Sequence, residues 1–202
     1  MKIALTGGMG SGKSTTGRLL SDLLGVDLHS ADEICRDLMQ PGNAGWQELR
    51  QRWGGRYVDA RGEIDRPLLR QAVFEDLEVR TALEGILHPL VRKIFSERAA
   101  HASARKRNFL AEVPLLFEVG WSGDFDWSIA VLADEQVCAE RIALRDGVTL
   151  DQAVQAMDTQ MPSSEKALAA DSVLDNSGTL AALYSQVQQL VRVLRQNPLF
   201  FS

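Results

Sequence analysis

The chain is poor in cysteine, in aromatic residues and in long apolar runs. Its 202 residues include 2 cysteines, 3 histidines and 6% aromatics. Cys35 and Cys138 stand far apart, with no Cys-x-x-Cys pair and no Cys/His ligand spacing, which excludes a disulfide framework or a structural zinc site and fits a reducing compartment. No apolar stretch reaches membrane-spanning length, and Met1 to Thr6 has no basic leader with an apolar segment behind it. A cytoplasmic protein with no membrane partner is expected. Positive charge is not in surplus either, since 27 acidic residues against 22 basic ones leave a net charge of -5. Binding to duplex nucleic acid needs a basic face that displaces counterions, so no nucleic-acid partner is expected. The densest basic run, Arg105-Lys106-Arg107, reads as a solvated helix end or loop, with a phosphate contact as the alternative.

An apolar fraction of 45% and a charged fraction of 24% are those of a soluble globular chain. At this length one core with insertions is expected. Lys2 to Thr6 is a short apolar run cut off by Gly7-Gly8, as in a buried parallel strand that ends at a tight loop. A helix follows, with Leu19, Leu20, Leu23 and Leu24 at helical spacing and Gly25 closing it. Val26 to His29 reads as the second strand, which completes a β-α-β unit. From Glu33 to about Arg107 only helical patterns appear, around Glu33 to Met39, Trp46 to Trp53, Asp65 to Phe74 and Val79 to Ala104. Strand patterns resume at Asn108 to Val113, Trp127 to Ala133 and Ser172 to Asp175. Helices are expected at Glu135 to Arg145 and Leu150 to Met157, then a polar piece from Asp158 to Glu165, and a last helix at Thr179 to Arg195 whose apolar stripe reads as core.

Gly7-Gly-Met-Gly-Ser-Gly-Lys13-Ser14 fits G-x-x-x-x-G-K-S and lies between a strand and a helix, the context that makes this pattern a phosphate loop. Glycines let successive backbone N–H groups converge on phosphate oxygens, and the helix aims its positive end at the same anion. Lys13 is expected to bridge the β and γ phosphates and the Ser14 hydroxyl to ligate Mg²⁺. A guanine-reading Asn-Lys-x-Asp is missing, and Val131-Leu-Ala-Asp134 is the nearest place for it. That counts against a GTP-dependent switch. A small chain with a helical insertion after strand two suggests a kinase whose acceptor is held by the insertion. Asp32, which ends strand two, reads either as the group that takes the acceptor's proton or as the N-cap of the helix near Glu33.

The assembly resembles the dephospho-CoA kinase family almost end to end. Ala4-Leu-Thr-Gly-Gly-Met-Gly-Ser-Gly-Lys-Ser-Thr15 is similar to the family's opening, Ser30-Ala-Asp32 to its Asp-Ala-Asp, and Asp65-Arg66 with Leu69 and Phe74 to its Asp-Arg-x-x-Leu element. His88-Pro-Leu90, Val113-Pro-Leu-Leu-Phe-Glu118 and Val173-Leu-Asp-Asn-Ser-Gly178 complete the series, and these later motifs in this order are far more specific than the phosphate loop. The resemblance implies ATP-dependent phosphorylation of the ribose 3′-hydroxyl of dephospho-CoA, the last step of coenzyme A synthesis. It implies ATP and Mg²⁺ as cofactors, with ATP held by Gly8, Gly10, Ser11, Gly12, Lys13, Ser14 and Thr15, and with Asn176 near the adenine. Asp32 becomes the catalytic base, and Arg66, His88, Pro114, Leu115 and Glu118 join it on the acceptor.

On the residues alone, His88 before Pro89 reads equally as a helix N-terminal residue, Glu118 as a cap or structural pair, and Glu112 as a rival to Glu118 for assisting Mg²⁺. Arg141 and Arg145, at i and i+4, face one side of a helix. In the resembled family they belong to a lid and reach the transferred phosphate; the alternative is a solvated face paired with Glu140. Lys166 is a further lid candidate. Two departures stand out: Ser30 replaces the first Asp of Asp-Ala-Asp, and Ala156 stands where the lid commonly has an arginine four residues before Gln160. The expected architecture is α/β, a three-layer P-loop fold with a five-stranded, mostly parallel sheet. Its nucleotide core would comprise residues 1–32, 108–138 and 166–202, its helical acceptor domain 33–107 and its lid 139–165.

Overall fold

The computed structural model describes residues 1–201 and contains two compact units, residues 1–29 with 99–201, and residues 30–98. The first unit is built on five strands, β1 (Lys2–Gly7), β2 (Leu28–Ser30), β3 (Phe109–Glu112), β4 (Trp127–Leu132) and β5 (Ser172–Asp175), in the order β2-β3-β1-β4-β5. β1 runs parallel to β3 and β4, with Leu5 opposite Glu112 and Gly7 opposite Val131, and β4 runs parallel to β5. The expected α/β sheet is the one observed. Parallel strands buried on both faces need near-continuous apolar sequence, and β1, β3 and β4 have it.

Alternation along the strands divides the core. Ile3, Leu5, Leu110, Ile129 and Val131 turn to one face, which helices α1 (Lys13–Leu24) and α9 (Leu180–Gln196) cover with Leu20, Leu183, Val187, Val191 and Leu194. Thr6, Ala4 and Ala130 turn to the other, where helix α8 (Ser163–Ala169) packs on β1 and β4. Helix α1 ends on Gly25 at φ 68°, and the N–H groups of Gly25 and Val26 both donate to the Ser21 carbonyl, at 2.9 and 3.2 Å. That closure uses Val26, so β2 starts two residues later than the apolar run suggests. Two guanidiniums sit at the negative end of α1, Arg107 on the Gly25 carbonyl (2.9 Å) and Arg195 on the Leu23 carbonyl (2.8 Å). The basic run therefore contributes a helix-end contact through Arg107.

Helices α6 (Glu135–Asp146) and α7 (Leu150–Met157) precede α8. Thr149 and Gln152 form a capping box on α7, and Ala139, Ile142 and Ala153 make a small core there with Met9 and Met157. Part of the expected polar piece is helical, because α8 begins at Ser163, directly after Pro162.

The second unit consists of α2 (Ala31–Leu38), α3 (Ala44–Trp53), α4 (Arg66–Glu75) and most of α5 (Leu77–Ala104). Leu49, Tyr57, Ile64, Leu69 and Val79 form its core, with Trp46 and Trp53 packed against them. Asp65 caps α4, its carboxylate accepting from Leu68 N–H at 3.1 Å, and Pro67 lies in the first turn where its missing N–H costs nothing. Pro89 lies inside the 28-residue α5. Its ring removes the bond to the carbonyl four residues earlier, that of Gly85, whose backbone is the easiest to adjust.

Candidate active site

The loop between β1 and α1 uses glycine where no other residue fits. Gly10 and Gly12 have φ of 74° and 87°, and a Cβ on Gly10 would come within 2.5 Å of the Cys138 carbonyl oxygen. A Cβ on Gly7 would meet the Val131 carbonyl and one on Gly12 the Asn176 amide. Side chains from distant elements hold the loop residue by residue. Gln160 Oε1 accepts from Met9 N–H (3.1 Å), Arg141 Nη1 donates to the Gly10 carbonyl (3.3 Å) and Asn176 Nδ2 to the Ser11 carbonyl (2.8 Å). The second Arg141 nitrogen donates to the Asn176 carbonyl at 3.0 Å, and Lys13 Nζ to the Gly8 carbonyl at 2.8 Å.

With these carbonyls tied back, the start of α1 is left with no side-chain cap and no acidic residue in its first turn. That is an anion site made of backbone N–H groups and a helix dipole. The Ser11 hydroxyl is buried inside the loop without a hydrogen-bond partner, a donor whose desolvation costs about 1–3 kcal/mol until an acceptor arrives.

Ser14 Oγ donates to Glu112 Oε1 at 3.0 Å. Glu112 is a buried acid on β3, opposite Leu5 in register. A hydroxyl and a carboxylate are the hard oxygens Mg²⁺ prefers, and this ion is held by few protein ligands together with phosphate oxygens and water. By the chemistry of its donors the Ser14–Glu112 pair fits Mg²⁺ arriving with a nucleotide. Glu118 is used differently, its Oε1 accepting from Met161 N–H (3.2 Å) and lying 2.7 Å from Lys166 Nζ.

Beside the loop lies a cavity of about 490 Å³, lined by Gly8, Met9, Cys138, Met157, Gln160 and Ser163 among others. Burial pushes the Cys138 thiol up from its ordinary value, against the pull of Arg141 and Lys13. Arg141 and Arg145 share a helix but not surroundings. Arg141 lies against the loop, whereas the 62%-exposed Arg145 grips the Asp146 carboxylate at 2.7 and 2.8 Å. Pro114 presents its carbonyl to Thr6 Oγ1 (3.1 Å) and Lys166 Nζ (2.7 Å).

In the second unit, Asp32 is not the cap of α2. Ser30 fills that place, its hydroxyl accepting from Glu33 N–H at 3.4 Å, and Asp32 is the exposed second residue of the helix. The departure from Asp-Ala-Asp thus has a local structural use. The Arg36 Nε donates to the Asp32 carbonyl and Arg66 Nη2 to the Arg36 carbonyl, both at 3.3 Å. Burial, with the Asp32 charge nearby, pushes the Cys35 thiol up to about 11. His88 lies in the interior of α5, which corrects the helix-start alternative. Burial holds its imidazole below the ordinary histidine range, with Glu84 pulling the other way.

The partners of Gln160 and Lys166 carry no signal in the sequence. Glu112, an acid in an apolar run, does.

A phosphate loop between the first strand and first helix of a parallel five-stranded sheet defines a P-loop nucleotide-binding fold. The model of the dephospho-CoA kinase family matches residues 1–182. The chain is 39% identical over 187 residues to the dephospho-CoA kinase of Desulfotalea psychrophila, covering 93% of this chain and 94% of that one. It is also similar to the solved structure of TT1252 from Thermus thermophilus, at 31% identity and a TM-score of 0.81, covering 96% and 97% of the two chains. The dephospho-CoA kinase from Campylobacter jejuni shares the fold at 23% identity and a TM-score of 0.68, with 95% and 96% covered. The chain belongs to the dephospho-CoA kinase family and is a phosphotransferase.

Proposed function

We infer that this kinase acts on dephospho-CoA through the phosphate loop and Asp32. It transfers the γ-phosphoryl group of ATP to the 3′-hydroxyl of the substrate's ribose, giving coenzyme A and ADP, the last step of coenzyme A biosynthesis. The observation that carries this reading is the loop itself, with its carbonyls at Gly8, Gly10 and Ser11 bound to side chains and the start of α1 left for phosphate.

Residues Gly8 and Gly10 to Thr15 hold the triphosphate, and Lys13 leaves the Gly8 carbonyl for the β and γ oxygens. The adenine is taken on the Asn176 side of the loop. Ser14, backed by Glu112, would hold Mg²⁺, which when bound neutralises charge on the phosphate oxygens. Asp32 follows β2 in the chain and matches the last acid of the family's Asp-Ala-Asp motif. Its carboxylate orients the 3′-hydroxyl and takes its proton as the bond to phosphorus forms. Because the transition state is loose, with charge spread over peripheral oxygens, Arg141 and Arg145 contribute as fixed donors. Arg145 reaches the phosphate by leaving Asp146.

The acceptor is held by residues 33–107, with Arg66 and His88, and by the turn at Pro114 and Leu115. Residues 139–165 close as a lid, which keeps water from competing for the γ-phosphoryl group. ADP formation from MgATP, compared with dephospho-CoA, adenosine, AMP or no acceptor, tests this. Stimulation by dephospho-CoA is expected; a guanine-specific, acceptor-independent turnover would refute it.

A further inference from the structure

Lys166 is a lysine with no exposed surface at all, and the chemistry above does not use it. Its ammonium lies 2.7 Å from the Glu118 carboxylate and 2.7 Å from the Pro114 carbonyl. Taking a cation out of water is costly unless its partners are well placed, and an apolar side chain of similar size would fill the same volume more cheaply. Such a pair is weak evidence for added stability, while its two close contacts fix the positions of Glu118 and Pro114 around Lys166.

What it fixes can be traced atom by atom. The Glu118 oxygen that meets Lys166 also accepts from Met161 N–H at 3.2 Å. The residue before Met161 is Gln160, whose side-chain oxygen accepts from Met9 N–H of the phosphate loop at 3.1 Å. On the other side, the Pro114 carbonyl that meets Lys166 also accepts from the buried Thr6 hydroxyl at 3.1 Å, and Thr6 leads directly into Gly7. The path from Lys166 therefore returns to the loop by both ends, through Glu118, Met161, Gln160 and Met9, and through Pro114 and Thr6.

We propose that Lys166 is a positioning residue for phosphoryl transfer: paired with Glu118, it sets the peptide at Gln160–Met161 so that Gln160 holds the Met9 amide and fixes the wall of the cavity beside the loop. The Gly10 and Ser11 carbonyls are held separately by Arg141 and Asn176, so ATP binding survives the loss of Lys166 while the alignment for transfer does not. The inference rests on the kinase reading for its rate effects, but not for the geometry it assigns.

The test uses the full chain with K166M, Q160L and the double variant, following hydrogen exchange of the Met9 amide by NMR alongside kcat and the KM for ATP. The expected result is faster Met9 exchange in K166M and Q160L alike, by about tenfold or more. With it, kcat falls about 10–100-fold at nearly constant KM, the loss expected of a small misplacement. In the double variant kcat falls no further than in the worse single one, because both changes break one chain of contacts. Unchanged Met9 exchange in folded K166M, or rate losses that multiply, overturns the proposal. If K166M does not fold, E118A removes the Met161 acceptor while leaving Lys166 its Pro114 carbonyl, and is read by the same outcomes. A wild-type enzyme without acceptor-stimulated turnover would refute the kinase reading alone, and Met9 exchange would still decide this one.

Discussion

The hydroxyl of Ser14 and the carboxylate of Glu112 are joined by a 3.0 Å hydrogen bond, although 98 positions separate them in the chain. The parallel pairing of β1 with β3 makes the meeting possible, since it sets Glu112 beside Leu5, two residues before the loop.

Glu112→Gln keeps an acceptor for Ser14 and removes the charge. Groups that hold a metal ligand in place typically change metal affinity 10–100-fold. The Mg²⁺ concentration for half-maximal activity should rise by about that factor, while activity at saturating Mg²⁺ recovers in part. A Mg²⁺ titration of the variant checks this, and an unchanged midpoint would separate Glu112 from the metal.

Gly10→Ala places a Cβ 2.5 Å from the Cys138 carbonyl on a backbone at φ 74°. Strain of this kind costs about 1–3 kcal/mol. Because the clash joins the loop to α6, nucleotide affinity should fall together with stability. Calorimetric ATP binding and denaturant unfolding of the same preparation read both.

His88 gives the fold an acid sensitivity whose sign follows from its burial. Its folded pKa lies below the ordinary 6.5, so the unfolded chain binds the proton more readily. Its contribution is constant at neutral pH and turns destabilising as the pH falls through about 6.5 and below. Denaturant midpoints at pH 5 and pH 8 should therefore lie closer together in His88→Gln than in the wild type. An equal spread in both would mean that other groups govern the acid side.

The nucleotide half of the site was legible because it is local. Loop, strand and helix follow one another within Lys2 to Leu24, and the glycines with the closest contacts, Gly7, Gly10 and Gly12, are in the motif. Asp32 was singled out, but its neighbour Ser30 proved to be the cap. Helix α8 was not legible, because its seven residues carry no apolar stripe and Leu168 points outward at 89% exposure. Lys166 was beyond reach for a stronger reason. Lysine is almost always exposed, and its burial depends on Glu118 and Pro114, which only the tertiary fold brings to it. Asn176 was expected near adenine from the resemblance, while its bond to the Ser11 carbonyl could be seen only in three dimensions.

The central claim is a division of labour, with the loop binding ATP and Asp32 handling the acceptor's proton. Asp32→Asn, compared with the wild type for ATP binding and for turnover with dephospho-CoA, tests it most directly. The expected result is unchanged ATP affinity with turnover reduced by about 10²-fold or more, the range of general base catalysis. Turnover equal to that of the wild type would contradict the account and leave Asp32 as an ordinary residue in the first turn of α2.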